Sequence, residues 1–270
     1  MRALPRVNKP WIRRIVLGTV AIATVAAIAT AVVIQRRNDG AWQPSAQQRT
    51  DHVVDLTDQP ALDPRVTQSD DPIWRYSWVQ PDDPGREGSW QIQRTLALLN
   101  ARPGMNIVDV GAGAGWLTFR MAHIVGPEGM ITATDKDLRM AQLLAFERQR
   151  RGLHNVRVLH VPPTVLGIPP ASVDAVVMVG LGVLHSRDPD NDLGQIRRYV
   201  AQIASAIRPG GRFVYAAEFE QDPAMNRSGA ESAALCAEQF EVERIDEQPP
   251  SSRRWGGRPL VGFVLSLRRR

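Results

Sequence analysis

A chain of 270 residues with 43% hydrophobic and 23% charged side chains is long and apolar enough to bury one sizeable core, and its single cysteine, Cys236, excludes an intrachain disulfide. The formal charge of +5 comes from the chain ends: the first 37 residues hold seven of the 33 basic side chains and no acid, the last three residues are arginine, and the stretch between carries 23 basic against 28 acidic groups. Nucleic-acid binding is therefore not expected, because the basic excess does not lie along a predicted groove.

Residues 1–14 read as a basic cytoplasmic tail. Residues 15–34 follow with no charge and no proline, and at roughly 1.5 Å per residue they are just long enough to cross a hydrocarbon core about 30 Å thick. They read as a single-pass transmembrane helix or signal anchor. Arg2, Arg6, Lys9, Arg13 and Arg14 precede this run while Arg36 and Arg37 follow it, a bias that keeps the N-terminus in the cytoplasm. Which side of the membrane the remaining chain faces stays open. So does a cleavable signal peptide, because Ala29-Thr30-Ala31 places small residues after an apolar stretch. A mitochondrial presequence, suggested by the arginines and absent acids, and a buried helix are further alternatives.

Residues 35–88 read as linker and aromatic lead-in. They are rich in Asp, Gln, Pro and Arg, with Gln59-Pro60, Asp63-Pro64, Asp71-Pro72 and Asp83-Pro84 interrupting any regular element. Trp74, Tyr76, Trp78 and Trp90 break the polarity; they could fold over a binding site as a lid, or pack as a hydrophobic strap. Residues 89–270 form the predicted domain. A helix over 89–99, stopped by Arg102-Pro103-Gly104, leads to a first strand near 107–110. A helix over 116–124, a strand over 130–135, a helix over 138–149 and a strand over 155–160 follow. Next come a strand over 173–179, a helix over 193–207 and a strand over 212–216, and this alternation predicts a parallel sheet with right-handed crossovers. The tail differs: 240–245 and 260–267 read as two strands without a strong helix between them.

The chemistry is concentrated at residues 107–115, Ile-Val-Asp-Val-Gly-Ala-Gly-Ala-Gly, an apolar strand running into a glycine-rich turn. Gly111, Gly113 and Gly115 let backbone approach a ligand, and the helix starting at Trp116 points its N-terminus back at the turn. A nucleotide-like cofactor is the natural occupant. Dinucleotide turns space their glycines GxGxxG, whereas here the third place is Trp116. Asp109 also repels a diphosphate but suits the sulfonium and α-ammonium of S-adenosylmethionine.

On these residues the stretch 91–270 resembles a class I S-adenosylmethionine-dependent methyltransferase, type-11-like. The resemblance rests on Asp109 to Gly115, on Ile131-Thr-Ala-Thr-Asp135 with its acid 24 residues after Gly111, and on the fourth-strand pattern at 173–179. Leu184-His185 and Arg208-Pro-Gly-Gly-Arg-Phe-Val214 extend it. It implies a doubly wound α/β fold whose seven-stranded, mostly parallel sheet has the order 3-2-1-4-5-7-6. It also implies that Asp109, Gly111, Ala112, Gly113 and Gly115 hold the cofactor's methionine part. Asp135, with Lys136 beside it, would meet the ribose.

Because the methyl group rides on an activated leaving group, no catalytic nucleophile is needed. His185 is the candidate to deprotonate or orient an acceptor hydroxyl, with a plain loop histidine as the alternative. Asp174 reads as a structural cap and Glu218, past the fifth strand, as a loop acid that could line an acceptor pocket. His123 and His160 are isolated, so no metal site is expected. No Asn-Pro-Pro-Tyr follows the fourth strand, which argues against methylation of nucleobase amines. Pro162-Pro163 departs from the polar residue usual near the adenine, and it motivates the rival reading, a non-catalytic membrane-anchored binding protein on the same fold. The principal expectation is methyl transfer to a small or lipophilic acceptor, quinone-like or lipid-like, near the membrane.

Overall fold

The computed structural model describes residues 52–270 except 60, 69, 72–80, 83, 87–88, 190, 221, 249–253 and 256–257. The expected membrane segment at 15–34 and the aromatic residues Trp74, Tyr76 and Trp78 lie outside the described residues. Among the described residues no helix is long and apolar enough to cross a membrane.

The sheet is built outward from β2 (Asn106–Val110), an apolar run buried on both faces. On one side β2 pairs in parallel with β3 (Met130–Asp135), which pairs with β4 (Val156–His160); on the other it pairs with β5 (Val173–Val179), which pairs with β6 (Ile207–Glu220). The chain then reverses: β9 (Arg258–Arg269) lies antiparallel between β6 and β7 (Phe240–Gln248). The order β4-β3-β2-β5-β6-β9-β7 is the 3-2-1-4-5-7-6 arrangement expected from the sequence. Two short strands add to the seven. β1 (Val54–Asp55) pairs antiparallel with Leu159 and His160 at the outer edge of β4, and β8 (Arg254–Trp255) pairs with β9.

Helices cover both faces, as a sheet apolar on both sides requires. On one face α2 (Trp90–Leu99), α3 (Trp116–Val125) and α4 (Leu138–Arg150) bury Ile92, Leu99, Trp116, Phe119, Met121, Ala141 and Leu144 against Ile107, Ile131, Val158, Val177 and Val264. On the other, α5 (Leu193–Ala206) buries Ile196, Val200 and Ile203 against Val108, Val176, Phe213 and Leu265. The helix starts follow their caps. Asp137 and Asp192 each accept backbone N–H bonds from the first turn of α4 and α5. Asn100 closes α2 in the left-handed conformation, φ 48°.

Between β4 and β5 no helix forms, because Pro162, Pro163, Pro169 and Pro170 fall within residues 161–172 and each removes an N–H donor. Two differences from the sequence reading have local causes. The strand expected at 212–216 runs from Ile207 to Glu220, since β9 pairs with it as far as Glu220, so Glu218 lies within β6 rather than beyond it. A short helix, α6 (Gly229–Ala234), stands where the sequence suggested none, held by a capping box between Ser228 and Glu231. Asp174 is structural, as expected. Its carboxylate accepts from the Asn106 N–H at 2.7 Å and pairs with Arg208 at 2.5 Å, joining the starts of three strands.

The lead-in is tied to α4 and β4. Arg157 pairs with Asp55 at 2.8 Å, and Arg148 donates to the carbonyls of Thr57 and Val156, both at 2.8 Å. α1 (Pro64–Thr67), capped by Asp63, places Arg65 against Glu147 at 2.9 Å. Glu147 is 1% exposed and also receives Arg150 and Arg151, while Arg151 reaches Asp82. Arg139, buried on α4, joins Asp71 to Asp137. Removing the carboxylate at this hub leaves several guanidinium groups facing one another, so Glu147→Ala is expected to lose about 2 kcal/mol of stability. It is also expected to expose Arg65 to trypsin. Denaturant titration and limited proteolysis read the two effects, and an uncut Arg65 in the variant would contradict the clasp.

Candidate functional site

β2 and β3 end side by side, with Val110 opposite Thr134, and the glycine turn follows at once. Both N–H groups of Gly111 and Ala112 donate to the Thr134 carbonyl, at 2.8 and 3.0 Å, which folds the turn back over the end of β3. Gly113 N–H then donates to Asp135 Oδ2 at 2.9 Å, and Asp137 N–H to Asp135 Oδ1 at 2.9 Å. Asp109 lies one strand over, its Oδ2 accepting the Thr118 hydroxyl at 2.6 Å from the first turn of α3.

All three glycines are left-handed, with φ of 67°, 56° and 89° at Gly111, Gly113 and Gly115, but their surroundings differ. A Cβ on Gly111 would stand 2.5 Å from the Leu181 side chain, and one on Gly115 2.6 Å from Phe119 and 2.8 Å from Leu144. These two glycines are demanded by packing. A Cβ on Gly113 would meet nothing within 4 Å. The middle glycine therefore faces open space beside the Asp135 carboxylate, and a ligand can approach the backbone there. Gly115 is also the N-cap of α3 and has no side chain to cap its first-turn amides.

The electrostatics suit a cationic, hydroxyl-bearing guest. Asp109 is 3% and Asp135 8% exposed, and burial pushes each carboxyl up to about 6 against the bonds it accepts. Arg86, from the lead-in, lowers Asp109 from a distance and stands 5.5 Å from the Trp116 ring. Asp135 has accepted two N–H bonds and keeps lone-pair capacity for hydroxyl donors. The residues present thus fit S-adenosylmethionine, with a carboxylate for ribose hydroxyls, an open glycine, and a second acid behind the turn.

The remaining predicted residues are placed as follows. Lys136 is exposed and its carbonyl meets His160 Nε2 at 3.2 Å, which ties the end of β4 to that of β3. Pro162 is buried and Pro163 exposed. Val161 N–H still donates to the Asp135 carbonyl at 3.0 Å, so the two prolines leave that strand end in register. His185 is 8% exposed on the loop after β5, with Nδ1 2.7 Å from the Tyr215 hydroxyl and its ring stacked on Phe219 at 4.8 Å. Burial, helped by Arg227, lowers it to about 4, so it is neutral at pH 7. His123 is exposed, and no group of metal-binding side chains occurs among the described residues. Sequence reasoning missed Thr118, Arg86 and Tyr215. The Asp109 and Thr118 spacing across a strand-to-helix turn was a usable signal for the first; the other two carry none.

Comparison with known proteins agrees with this geometry. Residues 107–211 match the protein family described as a methyltransferase domain. The probable ribosomal RNA small subunit methyltransferase B of Synechocystis sp. is 32% identical, over 48% of this chain and 34% of that protein. The ubiquinone/menaquinone biosynthesis C-methyltransferase UbiE of Shewanella piezotolerans is 26% identical, over 44% of this chain and 45% of that protein. The chain thus spans less than half the length of these curated relatives. An S-adenosylmethionine-dependent methyltransferase from Mesorhizobium loti shares the fold with a TM-score of 0.55, at 17% identity, over 68% of this chain and 99% of that one.

The raised carboxyls set a pH dependence. Folded-state values near 6 against an unfolded value of 3.8 mean that the ligand-free protein loses stability as pH rises from about 4 through about 6, on the order of 3 kcal/mol for each group. Asp109→Asn keeps an oxygen for Thr118 but removes the charge. It is expected to raise the melting temperature at pH 7.5 in the absence of ligand and to flatten that pH slope, as calorimetric scans from pH 4 to 8 would read. Gly113→Val would meet no neighbour but is strained at φ 56°, so it is expected to lower the melting temperature and, in calorimetry, to block ligand binding.

Proposed function

We propose that this methyltransferase domain binds S-adenosylmethionine and transfers its methyl group to a small or lipophilic acceptor of the quinone class at a membrane surface. The observation that carries the reading is the open face of Gly113 flanked by two buried carboxylates whose charge has no full counterpart. S-adenosylmethionine, when bound, supplies a methyl group on a positively charged sulfur.

The chain's own residues do the rest. Asp135 accepts the ribose hydroxyls while its bonds from Gly113 and Asp137 hold it in place. Asp109, locked by Thr118, gives the turn a negative potential that favours the sulfonium and ammonium, and Arg86 is placed to meet the methionine carboxylate. His185, neutral and held by Tyr215, orients the acceptor. Leu181 and Phe219 supply apolar wall, which suits an acceptor with a ring system and excludes water.

The quinone class is supported by the name of the Shewanella relative, and the membrane setting by the apolar run at 15–34, which would concentrate the enzyme where a lipophilic acceptor dissolves. Membrane association, a cytoplasmic N-terminus and the acceptor are parts of this proposal.

Calorimetry on the detergent-solubilised full chain is expected to show binding of S-adenosylhomocysteine and none of NADH. Asp135→Asn should weaken the former by about tenfold or more, the worth of a charged hydrogen bond. Vesicles holding a naphthoquinol that lacks its ring methyl are expected to yield methylated product. Binding without transfer to this or other acceptors would favour the non-catalytic reading, and no binding at millimolar ligand by a folded chain would end both.

A further inference from the structure

Tyr215 lies in the middle of β6, fully buried, its ring set among Phe213 and Phe263 at centroid distances of 6.4 and 6.0 Å. Its hydroxyl lies 2.5 Å from the Leu181 carbonyl oxygen and 2.7 Å from His185 Nδ1, and the backbone N–H groups of Leu184 and His185 also point to its oxygen, donors that favour its accepting role. A tyrosine hydroxyl owns one proton. The carbonyl can only accept, so that proton is given to Leu181; turned toward His185 instead, it would leave two oxygen lone pairs opposed at 2.5 Å. The contact with His185 must then run the other way, with Nδ1–H donating to the tyrosine oxygen.

The consequence falls on the far side of the ring. Burial keeps His185 neutral above about pH 4, and a neutral imidazole with its hydrogen on Nδ1 carries a bare lone pair on Nε2. Phe219, stacked 4.8 Å away with the planes 14° apart, fixes the ring's orientation. Backbone bonds hold the loop as well, Arg227 N–H donating to the His185 carbonyl at 2.6 Å and Arg187 N–H to the Met225 carbonyl at 2.7 Å. No bond from a described residue reaches Nε2, which is not among the sealed polar atoms lacking a partner. The relay ends at the glycine turn, since Leu181 is the residue whose side chain covers Gly111.

We propose that Tyr215 is a positioning residue: it fixes His185 as the Nδ1–H tautomer, so that Nε2 is the hydrogen-bond acceptor offered to a hydroxyl of the methyl acceptor. This rests on the methyltransferase reading and deepens it. The site takes an acceptor that presents an O–H, such as a hydroquinone or phenol, and Nε2 orients that hydroxyl without needing to keep its proton. An oxidised quinone, which has no such hydrogen, gains nothing from Nε2.

The tautomer can be read directly. In the full chain with nitrogen-15 histidine, the His185 signals, identified among the five histidines by their loss in His185→Gln, are expected to show a protonated Nδ1 and a bare Nε2. Tyr215→Phe keeps the ring in its aromatic cluster and removes the hydroxyl, and it is expected to move the balance toward Nε2–H. With S-adenosylhomocysteine present, millimolar 1,4-naphthohydroquinone should shift the wild-type Nε2 signal, while 1,4-naphthoquinone should not. A wild-type Nε2–H tautomer overturns the proposal, and so does an Nε2 signal unmoved by the hydroquinone. If the Phe variant does not fold, the wild-type spectra decide alone. Calorimetry of S-adenosylhomocysteine on the same sample reports the methyltransferase reading separately.

Discussion

The burial of two carboxylates at the ends of adjacent central strands is the constraint from which the rest of the site follows. Asp109 and Asp135 are taken almost wholly out of water, and the bonds they accept come from a hydroxyl and two backbone amides, those of Thr118, Gly113 and Asp137. Such donors soften the cost of burial without cancelling the charge, which is why both groups are pushed up to about 6. The same bonds anchor the turn, whose backbone is left-handed at 111 and 113 and whose Gly113 amide donates to Asp135. A cationic guest with ribose hydroxyls would offset that cost of burial. Binding strength and fold stability are therefore coupled through the same pair of oxygens.

The parts of this architecture that were legible in the sequence are those fixed by short-range pattern. β3 and β5 begin and end at the residues expected, because each is a largely apolar run with small or polar neighbours, Gly129 and Lys136 at β3 and Ser172 and Gly180 at β5. The order of the seven principal strands, taken from a family resemblance, also holds. Asp109, the glycines and Asp135 converge because they sit on consecutive strand ends, where β2–β3 pairing leaves no choice of register. What could not be read was long-range. Val54–Asp55 is two residues in a polar stretch and becomes a strand only because β4 has an open edge beside it. Tyr215 reads as one more core residue of an alternating strand; its partners are 30 and 34 residues away, and a hydroxyl's proton has no sequence signal.

The heavy use of arginine, with Lys9 and Lys136 the only lysines, finds a partial explanation in the lead-in. Arg65, Arg139, Arg148, Arg150, Arg151 and Arg157 each join α1, α4 or β4 to a carboxylate or a carbonyl, several of them by more than one bond. A planar fork with five donors can satisfy two acceptors at once, which a lysine ammonium does with less geometric control. A polar segment with little apolar surface of its own is thereby held along a helix by directional bonds. Through Arg139 and Asp137 that clasp extends to the residue whose amide braces Asp135.

The two borders of the sheet are finished in different ways. On one side the outermost strand, β1, is only two residues long, too short to serve as a template for another chain. On the other, β7 carries Glu241, Glu243, Arg244, Asp246 and Glu247 along nine residues. A neighbouring copy trying to extend the ladder there would have to take these charged side chains out of water. The molecule is thus guarded against edge-to-edge aggregation by brevity at one margin and by the cost of desolvating charge at the other.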